Sequence, residues 1–181
     1  MRKWLLIVLV MSLAQACDAP WAGPTLPAAG HWVSFTTVSN EGPVAVSNGI
    51  LAATSMTGVE ADVVAFETGR HPGYRLDQAC PAPCWRLVHA DEPGLLYVAV
   101  ATLPDGCDTS VKEGAAIAGH MLFLIHWVSA PSSTRCDAFP QPRWRLISVS
   151  RRDLPGAGTL TIRLQFQGSE EGSAESQVDL S

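Results

Sequence analysis

Basic side chains are scarce and lysine is almost missing. Lys3 and Lys112 are the only two lysines, and 12 Lys and Arg face 17 Asp and Glu, for a net charge of −5. A surface of that sign is repelled by phosphate backbones, which argues against a nucleic-acid partner. Beside the richness in Ala and Gly, the shortage of lysine reads as codon bias rather than function. The short motifs of common catalysis are also missing. There is no Gly-x-Ser-x-Gly elbow, no His-Glu-x-x-His and no dinucleotide fingerprint. Gly114 and Gly119 bracket four residues, but no Lys-Ser/Thr follows to complete a phosphate loop. No catalytic residue and no cofactor is therefore assigned. Nor is there an apolar run of the roughly 20 residues that a membrane-spanning helix needs. Residues 115–130 come nearest, but they include His120 and His126 and read as a buried strand and its flanks.

What is present starts at the N-terminus. Arg2 and Lys3 give a positive start, residues 4–13 are apolar except for Ser12, and Ala14-Gln15-Ala16 offers a small-residue cleavage site. That is the pattern of a secretory signal over residues 1–16. Leu13-Ala14-Gln15-Ala16-Cys17 also resembles the permissive lipobox of bacterial lipoproteins. The resemblance is confined to this segment. It implies a diacylglycerol on Cys17, a membrane contact through that lipid, and a place in the bacterial cell envelope. Cysteine parity agrees, because five cysteines leave an odd thiol whereas lipidation of Cys17 leaves four for two bridges. The alternative is plain secretion as a soluble protein. Without residues 1–16, ten basic residues face 17 acidic ones, a net charge of −7.

Residues 17–30 hold Pro20, Pro24 and Pro27 among Ala and Gly and read as a lipid-anchored tether, semi-extended by its prolines. A loop packed on the domain fits the same pattern. From residue 31 to 167 the chain reads as one β-sandwich domain. Strands are expected over 31–38, 61–67 (with helix as the weaker alternative) and 120–128, the last as a central, doubly buried strand preceded by a turn or short helix around 109–116. Three hairpins are expected. Residues 43–47 and 50–54 flank Asn48-Gly49, a strong turn signal. Residues 84–90 and 95–102 flank Asp91-Glu92-Pro93-Gly94, and residues 143–150 and 159–167 flank a turn with Pro155-Gly156. The last of these strands alternates, with Leu160, Ile162, Leu164 and Phe166 on one face. Residues 168–181, rich in Ser, Glu and Gly, are expected to be a disordered acidic tail. The fold class is all-β, an antiparallel β-sandwich or small barrel with two disulfides.

Pro81-Ala82-Pro83 separates Cys80 from Cys84, and a polyproline-like rise holds them about 12 Å apart, beyond the roughly 7 Å that a bridge tolerates. The hairpin turning at Glu92-Pro93 brings Cys80 close to Cys107. The expected bridges are Cys80–Cys107 and, by elimination, Cys84–Cys136. Cys80, Cys84 and His89 fall short of a tetrahedral zinc set, so no metal is expected.

Among single residues, His120 and His126 share a strand face about 20 Å apart, too far for one metal or one acid–base pair. Locally satisfied core histidines are the simpler reading. Asp91-Glu92 reads as a solvated turn. Strand phase places Trp85, Trp127 and Trp144 in the core and Arg86, Arg145 and Arg163 on wetter faces. His31-Trp32-Val33-Ser34 is echoed by His126-Trp127-Val128-Ser129, but the spacings support no internal duplication. The expected function is a non-catalytic binding or structural module of the envelope, with a protein or cell-wall component as partner. An enzyme inhibitor or immunity-type protein is the alternative, and a hydrolase the weakest reading.

Overall fold

The computed structural model describes residues 24–40, 42–45, 49–76, 91–102, 111–128, 143–167 and 173–181. Their strands form two stacked sheets, not closed into a barrel. In chain order they are β1 (His31–Val33), β2 (Phe35–Ser39), β3 (Gly49–Ala53), helix α1 (Met56–Arg70), β4 (Leu95–Thr102), β5 (Val111–Ala118), β6 (Met121–Val128), β7 (Arg143–Ser150), β8 (Thr159–Gln167) and β9 (Ala174–Asp179). One sheet has the order β1-β5-β6-β8-β9 and the other β2-β7-β4-β3.

Side-chain alternation builds the core between them. Val98 and Val100 of β4 and Ile147 and Val149 of β7 face Leu122 and Leu124 of β6 and Leu160, Ile162 and Leu164 of β8. The alternation expected for β8 is found. The second sheet is dry on its other face too, where α1 covers Tyr97, Ala99, Trp144 and Leu146. Chain continuity joins the sheets at one edge, where residue 34 separates β1 from β2, and β9 lies along β3 at the other.

Several expectations are corrected here. Residues 61–67 belong to α1, because a 15-residue helix is capped at both ends. Ser55 Oγ accepts from the Gly58 amide at 3.0 Å, and Asp91 Oδ1 accepts from the Met56 amide at 2.6 Å. The apolar positions Met56, Val59 and Val63 recur at helical spacing, but Glu60 and Glu67 share the buried face and blur the pattern. Asp91 is thus a helix cap rather than a merely solvated turn residue.

The described strands pair differently from the expected hairpins. Val44 bridges to Arg143, while β3 pairs with β4. Gly49 has no positive φ; it opens β3 because a Cβ there would lie 2.8 Å from both Phe66 Cζ and Trp144 Cη2. Both edges of β4 are occupied, by β3 and β7, and residues 84–90 lie outside the described residues. β7 and β8 lie in different sheets, joined by a 3-10 turn (Arg151–Asp153) and buried Leu154. That crossover makes β8 parallel to β6, so the sandwich is mixed rather than purely antiparallel.

Residues 111–118 are a strand, not a turn or short helix, and β6 is central in its sheet. Part of the expected tail is β9, whose Ala174 and Val178 pack on the core and whose Glu175 pairs with Arg163. Of the tether, Leu26 packs against the outer face of β5 and β6, and Thr25 exchanges two hydrogen bonds with Gln167. The signal segment, Cys17 and the pairs Cys80–Cys107 and Cys84–Cys136 lie outside the described residues, as do Trp85, Arg86 and His89. β4, the second arm of the hairpin on which the Cys80–Cys107 pairing was reasoned, pairs with β3 and β7.

Candidate functional site

The site lies at the edge where β1 passes into β2. β5 runs there between β1 and β6, and its two faces carry different chemistry. The odd positions, Glu113, Ala115 and Ile117, point into the sandwich, while Gly114 and Ala116 point outward.

On the outer face, Trp32 of β1 and Trp127 of β6 approach Gly114 from opposite sides. Their ring centroids are 6.4 Å apart, tilted by 45°. The position explains the glycine: a Cβ on residue 114 would lie 2.6 Å from Trp32 Cζ3 and 3.2 Å from Trp127 Cζ3. With no side chain there, both indoles settle against the β5 backbone. Trp32 remains 44 % exposed, the one large hydrophobic side chain so open among the described residues. Trp127, expected in the core, is half-buried on this outer face; Trp144 is fully buried as expected.

On the inner face, Glu113 pairs in register with His126, whose Nε2 lies 3.2 Å from Glu113 Oε1. From the opposite sheet, Arg145 closes on the same carboxylate, with Nη1 on Oε2 at 3.0 Å and Nη2 on Oε1. Arg145 was expected on a wetter face. It points inward because the face bearing Trp144 and Leu146 is the one beneath α1. His126 is 6 % exposed with its ring edge-on to Phe166, whereas His120 sits exposed in the β5–β6 turn.

Burial pushes His126 down to about 4; the Glu113 carboxylate opposes this and Arg145 reinforces it. At neutral pH its ring is uncharged. Burial by itself would raise Glu113, but the Arg145 hydrogen bond, then the charge of His126 where acid protonates it and that of Arg145, hold it below the usual carboxylate range. The result is an oriented, ionised carboxylate.

That carboxylate and the indoles meet in one place. Glu113, Ser34, Pro24, Trp32, Gly114 and Trp127 line an open cleft of about 610 Å³. Such a wall of aromatic surface with a few fixed polar groups is suited to holding a ligand. Among the described residues no group of His, Cys, Asp and Glu is placed to hold a metal ion, and no helix is long and apolar enough to cross a membrane.

No family model, curated protein or solved structure matches the chain.

The sequence reading missed Glu113, Arg145 and Trp32 as partners. A signal existed for the first. A tight β5–β6 turn at Gly119-His120 fixes a register in which Glu113 falls opposite His126. The echoed His-Trp-Val triplets were a second signal, since they lie on the two strands flanking β5 and supply the two indoles.

Proposed function

We propose that the chain is an exported, lipid-anchored and non-catalytic binding module of the cell envelope, which holds its ligand in the cleft beside Trp32. The observation that carries this reading is Trp32 itself, 44 % exposed yet seated against Gly114 beside a fixed carboxylate. Aromatic side chains held this way supply contact area at little cost in ordering. The signal segment and lipobox-like residues support the location. Pro24 lines the cleft and Cys17 is seven residues upstream, a reach of at most roughly 25 Å when fully extended. A lipid on Cys17 would keep the cleft near the membrane surface.

Two measurements test it. Intact mass of the protein from its native membranes, with and without reduction, should show a diacylglycerol on Cys17 and two reducible bridges. An unmodified chain beginning at Cys17 contradicts the anchor. Co-sedimentation with washed envelope should weaken at least about tenfold in Trp32→Ala, the loss expected of a central aromatic contact. Equal retention of both proteins contradicts the cleft. Specific retention of a single envelope enzyme, inhibited on binding, would favour the inhibitor alternative.

A further inference from the structure

We infer that the cleft takes a glycan, a short run of linked sugar rings with one ring stacked on Trp32. This rests on the binding-module reading and adds the chemistry of the ligand. Trp32 stands between two clefts rather than beside one. Beyond it, a second cleft of about 490 Å³ is lined by His31, Gly119, Arg152, Asp153 and Pro155, and Trp32, Val33 and Ser34 are walls of both. The two run beside β5 from Ile117 to Glu113, roughly 13 Å at about 3.3 Å per residue. A compact ligand is normally enclosed over most of its surface. A long, open groove divided by an indole suits a chain of rings.

The polar groups along the groove point the same way. Arg152 and Asp153 stand exposed at one end, and neither side chain has a partner among the described residues. Ser34 lies between the clefts, and Glu113 closes the other end. Both signs of charge are interleaved with a hydroxyl, so a ligand of one charge would meet repulsion somewhere along the wall. A sugar hydroxyl both donates and accepts, and pairs with all of these groups. A pyranose ring also presents an apolar C–H face, which suits the electron-rich face of an indole. The absence of a side chain at residue 114 seats the Trp32 ring before any ligand arrives, so little ordering remains on binding. A lipid surface fits less well, because the site carries carboxylates at both ends.

The test is calorimetric titration of the purified protein with tri- to hexasaccharides of hexoses, N-acetylhexosamines and uronic acids, with tryptophan emission as a second readout. At least one series should bind saturably and gain affinity with chain length. Trp32→Ala should weaken that binding at least about tenfold, while Trp32→Phe, which keeps a ring, recovers part of it. Arg152→Ala with Asp153→Ala should weaken the longer saccharides and spare the shortest. If no saccharide binds while Trp32→Ala still abolishes envelope co-sedimentation, the glycan is wrong and the binding module stands; loss of the envelope signal after protease treatment would then point to a protein ligand. Saccharide binding indifferent to Trp32 overturns the site, and envelope binding indifferent to Trp32 overturns both readings.

Discussion

Arg145 of β7 and Glu113 of β5 clasp one another across the space between the sheets through two guanidinium–carboxylate hydrogen bonds. The side chains are 22 % and 24 % exposed, so the pair is neither a solvated surface contact nor a fully dry one. A fork of this kind fixes direction as well as charge. Arg145→Met should cost about 2 kcal/mol, below the value for a fully buried pair whose partner is left behind, because water reaches both groups. Glu113→Gln should behave similarly. Urea unfolding of both single variants and the double variant should show a coupling of about 1–2 kcal/mol; full additivity would make the contact incidental.

His126 gives the fold a direction of pH dependence. Its pKa falls from 6.5 to about 4 on folding, so between those values the unfolded chain binds more protons. Stability from this group is therefore fully present above about 6.5 and is lost as pH falls toward 4. Glu113, also lowered, adds to the loss once pH drops below its ordinary 4.5. The melting temperature should decline from pH 7 to pH 4.5, and His126→Gln should flatten that decline. An unchanged slope in the variant would place the titration elsewhere.

Two glycines that make room for tryptophan should respond differently to a methyl group. At Gly49 the new Cβ meets Phe66 and Trp144, and Trp144 is fully buried with its Nε1–H donating to Glu67 at 2.8 Å. Trp144 has no space to yield, so Gly49→Ala should destabilise by about 1–3 kcal/mol. At Gly114 the collision is with exposed Trp32, which can swing outward. Gly114→Ala should change stability by less than about 1 kcal/mol yet weaken ligand binding. Thermal melts paired with envelope co-sedimentation separate the two effects.

The helix that the strand-like run concealed depends on its cap. Ser55→Ala removes the acceptor for the Gly58 amide and should cost about 1 kcal/mol, read by urea unfolding. The same loss from Asp91→Ala, which leaves the Met56 amide without its acceptor, would establish that the turn before β4 holds the start of α1.

Much of the β architecture was legible because alternation is a local property. β8 declares its dry face through Leu160, Ile162 and Leu164, and β6 its central place through an apolar run interrupted only by His126. Sheet membership is not local. Residues 143–150 and 159–167 look like hairpin arms, but buried Leu154 draws the connection across the core, and the arms enter different sheets. The tail was misjudged by composition, since its Ser, Glu and Gly hide the dry series Ala174, Val178 and Leu180. The candidate site was half legible. His126 was rightly read as buried, but the carboxylate beside it stood in a segment read as turn or helix. Arg145 was assigned to the wrong face, because a strand dry on both sides carries no phase to orient a lone arginine.

The most direct measurement is amide hydrogen–deuterium exchange of the protein with and without washed envelope. Protection on binding should concentrate at residues 31–35 and 112–115, the strands that carry Trp32, Ser34, Glu113 and Gly114. Protection confined instead to α1, or to the β8–β9 face, would place the ligand elsewhere and contradict the assignment of the Trp32 cleft.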